Sequence, residues 1–452
     1  MHSQDVVIIG GGISGLTSAY QLKKNNISFT LLESSSRLGG AIETVIRENF
    51  IYEKGPNTFL LSDKRILNLF NELNLEIQDA SPKSNNRYVF KDKKCVKVPM
   101  SILSFISTSL FSIKTKFKII FEFLNYRKSL SHEESVSEFI TRRFNKQLLE
   151  YAVNPFIAGT YAGEPDKLSI KHSFPMLYNF ENKKGSIIKG VLSNKKSKFQ
   201  LNRRSISFKN GLNDLIIKIC EILNQHINTQ SRVIDISKKN NLFSISYSCN
   251  EEIKTISAKK IICTIPTHAL KTIKLNNKNS YHFDKLSSIY YPPILSVTIA
   301  LKKDKISRKF EGFGILIPKI ENMNILGVLY ISSIFQNRAP KDSVLLTIFI
   351  GGSRQPELVN LNDEKILKLI KGDFTKIYNI DIKPLFIDKK IWKKSIPQYN
   401  LGYDNFIDCM KDFESKNSGF HFSGNFLNGI SLQDNMINAL KTSNKIIENI
   451  KS

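Results

Sequence analysis

The sequence predicts a mixed α/β protein of more than one domain, with a parallel doubly wound core, a mixed β-sheet section and an inserted helical section. Three observations predict it. "VVIIGGGISG" (6–15) drives β-branched residues into a glycine cluster and then into helical periodicity. Residues 271–394 alternate β-rich runs such as "ILSVTIALKK" and "SVLLTIFIGGS" with loops. Residues 101–124 carry Ile102, Ile106, Leu110, Ile113, Phe117, Ile120 and Leu124 on one helical stripe. At 452 residues the chain exceeds what one hydrophobic core holds.

Composition narrows the function. A hydrophobic fraction of 41% argues against disorder over most of the length. Cys95, Cys220, Cys249, Cys263 and Cys409 form no CxxC pair, and the seven histidines are dispersed, so reduced intracellular thiols and no protein-ligated metal are expected. The net charge of +26 suits an anionic membrane or an acidic substrate better than nucleic acid, for which no binding signature exists. The accompanying wealth of isoleucine and asparagine leaves compositional bias open as a second source of that charge. Five residues precede the first apolar strand, so no signal or transit peptide is expected. No run of about 18 apolar residues predicts a spanning helix.

At the N-terminus, residues 6–9 read as a buried parallel strand. Gly10, Gly12 and Gly15 give G-x-G-x-x-G, residues 16–24 a helix, and residues 29–32 a second strand ending on Glu33. Each part serves a dinucleotide: Gly10 for the tight turn, Gly12 for close approach of a pyrophosphate, Gly15 for helix–sheet packing, and Glu33 to accept ribose hydroxyls. "RLGGAIET" follows, placing Arg37, Leu38, Gly39 and Gly40 where a second backbone segment can approach the same ligand. Near the other end, "GFHFSGNFLNGISLQDN" reads as a strand (419–423), Gly424 and Asn425, a loop with Gly429, and a helix from Leu432.

Between these ends, "FKNGLNDLIIKICEIL" gives a glycine turn and an amphipathic helix, followed by strands at 233–237, 242–247 and 255–265. The stripe at 101–124 with Lys114, Lys116 and Lys118 admits two readings, a helix lying in a membrane interface or a hairpin packed on the core. Residues 193–205, "SNKKSKFQLNRRS", read as a solvated basic loop.

The N-terminal motifs resemble the flavoprotein superfamily that includes amine oxidases, phytoene desaturases and protoporphyrinogen oxidases. "NPFIAGTYAGEPDKLSIKHSFPMLYNFENKKGSII" (154–188), "EKGPNTF", "ESVSEFITRRF", "LGVLYISSIFQNRAP", "GGSRQPEL" and "IPQYNLGYDNF" resemble the oxygen-dependent protoporphyrinogen oxidases of plastids and cyanobacteria, in order across nearly the full chain. That resemblance implies a Rossmann-like FAD-binding domain (1–80, 206–270 and 395–452), an inserted helical membrane-binding and substrate-channel domain (81–205) and a mixed β-sheet substrate-binding domain (271–394). It implies FAD-dependent removal of six electrons from protoporphyrinogen IX, with O2 as acceptor and hydrogen peroxide as product.

The resemblance also assigns residues. Around FAD it places Ile13 and Ser14 beside the first glycines, Ser34 beside Glu33, and Gly55, Pro56 and Asn57 near the flavin ring. Ile430 joins the C-terminal segment. Val233 and Trp392 are placed near FAD, with a plain core role equally open for each. Arg87 falls at the propionate-binding arginine, Tyr330 at an aromatic that sandwiches substrate, and Ala158 and Gly159 at the pocket border. Two positions depart from the pattern. Ala41 stands where amine oxidases carry arginine, as in protoporphyrinogen oxidases, and Gln433 and Asp434 stand where glycine and a basic residue are usual. Coproporphyrinogen III oxidation, an amine oxidase or carotenoid desaturase, and a silent flavin-binding membrane protein remain alternatives. Implied partners are the porphyrinogen, O2, an anionic membrane surface, a second copy of the chain, and a ferrochelatase or magnesium chelatase taking the product. Location is expected to be intracellular, either cytoplasmic or peripheral to a membrane, in a bacterial or plastid setting.

Overall fold

The computed structural model describes residues 3–124, 132–193, 200–275, 280–303 and 307–452. Its first sheet is organised around Ser3–Ile9, which has parallel neighbours on both sides, Phe29–Leu32 and Glu252–Cys263. Val6, Val7 and Ile8 are fully buried, as a strand covered on both faces requires. The long strand Glu252–Cys263 pairs through its first half with Leu242–Cys249 and through its last three residues with Phe420–Phe422. That second pairing returns the C-terminal segment to the N-terminal glycine turn. The helices Ile13–Lys24, Asn213–Leu223 and Leu432–Lys451 share one core, with Leu16, Ala19, Leu215, Ile219, Met436 and Ile446 among its members.

The second sheet has seven strands in the order Pro384–Trp392, Ile294–Lys302, Ser343–Gly351, Ile325–Leu329, Gly314–Leu316, Arg87–Lys91 and Lys94–Lys97. The hairpin at 87–97, expected within the helical section, is instead the edge of this sheet, paired parallel to Gly314–Leu316. Period-two alternation gives the sheet two faces. Ile315, Val328, Ile348 and Ile350 face a core completed by Ile366, Ile370 and Phe374 of the helix Asp363–Tyr378. Leu316, Leu329 and Phe349 stand on the opposite face, half-buried.

A small third sheet corrects the basic loop expected at 193–205. Gln200–Phe208 is a strand paired with Phe59–Asp63 and Ile77–Asp79, and residues 194–199 lie outside the described residues. Ile206 and Phe208 drive the pairing, because both are fully buried.

The apolar stripe is not one helix. It breaks into Ile102–Ser107, Ile113–Ile120 and a 3-10 turn, Phe121–Leu124. Ser101 caps the first helix and Ser112 the second, while Leu110 and Phe111 turn inward against Val89 and Tyr151. The rest of the stripe faces outward: Ile102 is 78% exposed, Ile113 72% and Leu124 69%. Packing on the core therefore accounts for little of it. Among the described residues no helix is long and apolar enough to cross a membrane.

A buried ion network holds this exposed segment. The Glu122 carboxylate accepts from Ser186 Oγ at 2.7 Å, from the Ile187 and Ile188 N–H groups at 3.1 Å each, and from the Arg143 guanidinium. Arg142 bridges Glu134 at 2.7 Å and Glu181 at 3.0 Å. Burial pushes the Glu122 carboxyl up, but these donors outweigh it and hold it below the usual value of 4.5. Glu122→Gln removes one of the two carboxylates around the buried Arg143 guanidinium, leaving it Glu181 at 3.3 Å and Gly185 O at 3.1 Å, and is expected to cost about 3 kcal/mol, read by urea unfolding. The wild-type advantage is present above the unfolded carboxylate value and is lost as pH falls through the depressed folded one.

Candidate functional site

The first turn of the helix Ile13–Lys24 has no cap: Gly12 offers no side chain and no acid follows. Its N–H groups therefore remain available to an anionic ligand. The turn before it is built by steric necessity. Gly10 sits at φ +108°, and a Cβ on Gly15 would lie 1.9 Å from Gly10 O. Thr264 Oγ1 closes the turn by donating to Ile9 O and Gly10 O, 3.0 Å from each. The second glycine segment lies against the first, with Gly39 N–H donating to Gly11 O at 2.8 Å. Gly40 adopts φ +59°, and its Cβ would meet Gly12 Cα at 3.1 Å. A Cβ on Gly12 would meet no clash, with Gly40 Cα at 4.0 Å.

Flanking residues shape this cradle. Arg37 donates to Ile42 O and Gly40 O at 2.5 Å each, folding its own segment over the turn, and Leu38 packs on Gly11. Glu33 accepts from Gly11 N–H at 2.6 Å and Ser35 N–H at 2.8 Å, with Ser34 Oγ at 3.4 Å. Val233 is buried in the strand Ser231–Lys239, whose first N–H donates to Glu33 O at 2.7 Å. Its side chain packs into the core.

Residues 55–57 approach from the other side. Gly55 has no room for a side chain, since its Cβ would lie 2.0 Å from Ala41 O. Trp392 backs this segment, with Nε1 donating to Lys54 O at 2.9 Å. Asn57 is buried, and its Nδ2 donates to Gly55 O at 3.0 Å while Oδ1 has no partner among the described residues. An orphaned acceptor beside a backbone cradle fits a ligand with ring N–H donors. Beneath lies Glu53, which accepts from Leu212 N–H and Thr44 Oγ1 at 2.8 Å each. Burial pushes its carboxyl up to about 7.

The C-terminal loop is held by two tyrosines that the sequence reading did not single out. Tyr399 OH donates to Asn425 O at 2.5 Å and accepts from Gly429 N–H, and Tyr403 OH donates to Phe426 O at 3.0 Å. Ser431 caps the last helix, with Ile430 and Leu432 half-buried on either side. Ser14 Oγ reaches Asn435 Oδ1 at 3.3 Å, joining the two glycine-led helices. The unusual "QD" pair is structural. Gln433 Oε1 accepts from Ser62 and Asp63 N–H groups, and Asp434 accepts from Ser431 Oγ at 2.6 Å.

The half-buried face of the seven-stranded sheet forms the second part of the site. Register aligns Arg87, Gly314, Leu329 and Thr347 in one cross-strand row, and Val89, Leu316, Gly327 and Phe349 in the next. Large residues alternate with glycines, so the face is apolar and stepped. The helix Asn154–Tyr161 lies against it: a Cβ on Gly159 would meet Leu316 Cδ2 at 2.6 Å, and Ala158 is buried beside it. Arg87 is exposed and lies 4.6 Å over the Phe313 ring. Tyr330 corrects an expectation. It is 1% exposed on the opposite face, with its hydroxyl 2.9 Å from Tyr378 OH and its ring against Phe310. The strand ends at Leu329, and Tyr330 begins a helical turn that points it into the core.

One group of potential metal ligands, Glu133, His172 and Asp404, comes together among the described residues. Lys171 Nζ lies 2.5 Å from Asp404 and Gly402 N–H bonds Glu133, so the cluster already has its cation and donor.

An uncapped helix N-terminus, paired glycine segments and an acid at the end of the second strand together form a cradle for a dinucleotide cofactor. The flavin containing amine oxidoreductase profile matches residues 13–446, and the chain belongs to that family. It is 31% identical to protoporphyrinogen oxidase 2 of Arabidopsis thaliana, over 99% of this chain and 94% of that one. It is 27% identical to coproporphyrinogen III oxidase of Bacillus subtilis, over 95% of each. In fold it resembles the crystal structure of an Exiguobacterium sp. 255-15 protein assigned as a protoporphyrinogen oxidase, with TM-score 0.81 at 21% identity, covering 99% and 100% of the two chains.

Gly12→Ala should leave the fold intact, because its Cβ clashes with nothing, but weaken FAD binding by about tenfold or more. Gly15→Ala should abolish folding instead; flavin absorbance per folded protein separates the two. Glu53→Gln should flatten the pH dependence of stability. The wild-type carboxyl favours the fold below its unfolded value of 4.5, and that contribution is lost as pH rises through about 7.

Proposed function

We propose that the protein oxidises protoporphyrinogen IX to protoporphyrin IX, consuming three O2 and releasing three hydrogen peroxide molecules. The observation that carries this reading is the register of Arg87 with the stepped apolar face of Leu316, Leu329 and Phe349. A porphyrinogen is an apolar macrocycle with propionates at one edge, and it matches a stepped hydrophobic wall that ends in a permanent cation. Bound FAD supplies the hydride acceptor and the route to O2. The chain's own residues bind and orient. Gly10, Gly12, Gly15, Glu33, Gly39 and Gly40 hold the dinucleotide, Asn57 Oδ1 accepts a hydrogen bond at the flavin ring, and Gly424, Asn425 and Gly429 close over it. Gly159 and the stepped sheet face admit the macrocycle, and Arg87 takes a propionate. Trp392 supports residues 55–57 from behind.

The same reading assigns 1–80, 206–270 and 395–452 to cofactor binding and 271–394 to the substrate wall, now with the hairpin at 87–97 added. The exposed Ile102, Leu103, Ile113, Phe117, Leu124 and Leu192, with Lys114 among them, suit a peripheral seat in an anionic membrane interface. A second copy of the chain and a chelatase that accepts the metal-free product complete the proposed partners.

Aerobic assay of FAD-loaded protein with protoporphyrinogen and coproporphyrinogen in parallel should give porphyrin fluorescence with the first. Preference for the second, the substrate named for the Bacillus subtilis relative, would move the assignment to the tetracarboxylate. Fluorescence with neither would overturn it. Arg87→Ala should raise KM about tenfold with FAD content unchanged; loss of flavin would place Arg87 on the cofactor. Flotation with anionic liposomes at low salt should carry the protein upward, and exchanging Ile102, Leu103 and Ile113 for serine should abolish it.

A further inference from the structure

The edge strand Pro384–Trp392 does more than close the seven-stranded sheet. Its residues alternate between exposed and half-buried, so Phe386, Asp388, Lys390 and Trp392 share the inward face. All four meet the N-terminal segment that leads to Asn57. The Phe386 ring packs edge-on to Phe50 at 5.0 Å and beside Tyr52 at 5.9 Å. The Asp388 carboxylate accepts from Tyr52 OH at 2.6 Å and pairs with the Lys54 ammonium. Lys390 Nζ lies 2.9 Å from the Glu43 carboxylate, and Trp392 Nε1 donates to Lys54 O at 2.9 Å.

These contacts converge on Lys54. Its N–H donates to Glu43 O at 2.8 Å, its carbonyl accepts from Trp392, and its side chain, only 12% exposed, reaches Asp388. Lys54 is thus fixed at three points immediately before Gly55, which has no side chain to anchor the loop, and Asn57 hangs from Gly55 O. Burial pushes the Asp388 carboxyl up, but hydrogen bonds from Lys54 and Tyr52 outweigh it and hold it below the usual value of 3.8. Asp388 is itself tied to the substrate wall. Register pairs it with Thr298, Thr298 with Thr347, Thr347 with Leu329, Leu329 with Gly314, and Gly314 with Arg87. One cross-strand row therefore carries Arg87 at one end and the anchor of the Asn57 loop at the other.

We infer that Asp388 is a positioning residue: through Lys54 it fixes the loop bearing Asn57, and with it the flavin ring, relative to the sheet row that ends in Arg87. This rests on the proposed placement of Asn57 at the flavin and deepens it, since Asp388 touches neither ligand in this role. Rates fall steeply when reacting groups are misplaced by about 1 Å. An anchor between the cofactor loop and the substrate wall therefore acts on turnover more than on substrate affinity.

The test uses the FAD-loaded protein with Asp388→Asn, Asp388→Glu, Asn57→Ala and the double variant Asp388→Asn/Asn57→Ala. Asparagine keeps an acceptor for Tyr52 and removes the charge that holds Lys54. The readouts are release of FAD from the holoprotein, visible circular dichroism of the bound flavin, and kcat and KM for protoporphyrinogen. Asp388→Asn is expected to lower kcat about tenfold with KM unchanged, to alter the flavin dichroism, and to weaken FAD binding by up to about tenfold. Asp388→Glu should recover part of kcat. In the double variant the losses of FAD affinity should be non-additive, because both changes act on one contact. Additive losses, or wild-type kcat and flavin dichroism in Asp388→Asn, would overturn the inference. Should Asp388→Asn fail to fold, Lys54→Gln removes the same ion pair and is read against the same outcomes. Absence of porphyrin with every protein, wild type included, would sink the oxidase reading, and the FAD-release cycle would still decide the role of Asp388.

Discussion

The molecule depends on a helix that begins without a cap. Ile13–Lys24 starts directly after Gly12, and the N–H groups of its first turn have no side-chain partner. Orphaned donors at the positive end of a helix are a cost in an empty protein and a source of affinity in a loaded one. The surrounding architecture keeps that end open. The strand Ser3–Ile9 aims the helix, and Glu252–Cys263 brings Phe420–Phe422 alongside. Ser14 then ties the first helix to the last through Asn435. Chain segments more than four hundred residues apart thus converge on a few N–H groups.

A second constraint is the division of each sheet face between packing and binding. In the seven-stranded sheet, Ile315, Val328 and Ile348 fill a core while Leu316, Leu329 and Phe349 remain half-buried one residue away. A shift of register by one residue would exchange the two sets. The antiparallel pairings that fix this register run through nine residues between Ile294–Lys302 and Ser343–Gly351. Rigid pairing at the centre of the sheet therefore sets which side chains its half-buried face presents.

The nucleotide end was legible in the sequence because its signals are local. Strand, glycine turn, helix and terminal acid follow one another within 33 residues, and the observed strand Phe29–Leu32 ends where the pattern says it should. The substrate wall was less legible, because period-two alternation reveals two faces without saying which is solvent-facing. Tyr330 illustrates the loss: its neighbours match a substrate-facing segment, but the strand stops one residue earlier. The tyrosines at 399 and 403 sit in the family-like segment "IPQYNLGYDNF", but nothing local in the sequence ties them to their partners at 425 and 426. The helical stripe kept its spacing across a break, so periodicity hid it; the capping serines at 101 and 112 marked it in plain sight.

The site's chemistry also explains what it lacks. Burial and nearby lysines hold His268 and His421 down to about 4, so both are neutral in ordinary conditions. Glu53 is buried beneath the loop that carries Asn57, and its two hydrogen-bond acceptors are already engaged. Asp434 is committed to the cap of its own helix. These titratable groups are thus engaged in structure, and the cradle itself is built of backbone amides, glycines and apolar side chains. Guanidiniums keep their charge across any pH at which the fold survives. On the proposed reading the site would fix an apolar ring against a flavin, and its selectivity would come from the shape of one sheet face and the placement of Arg87.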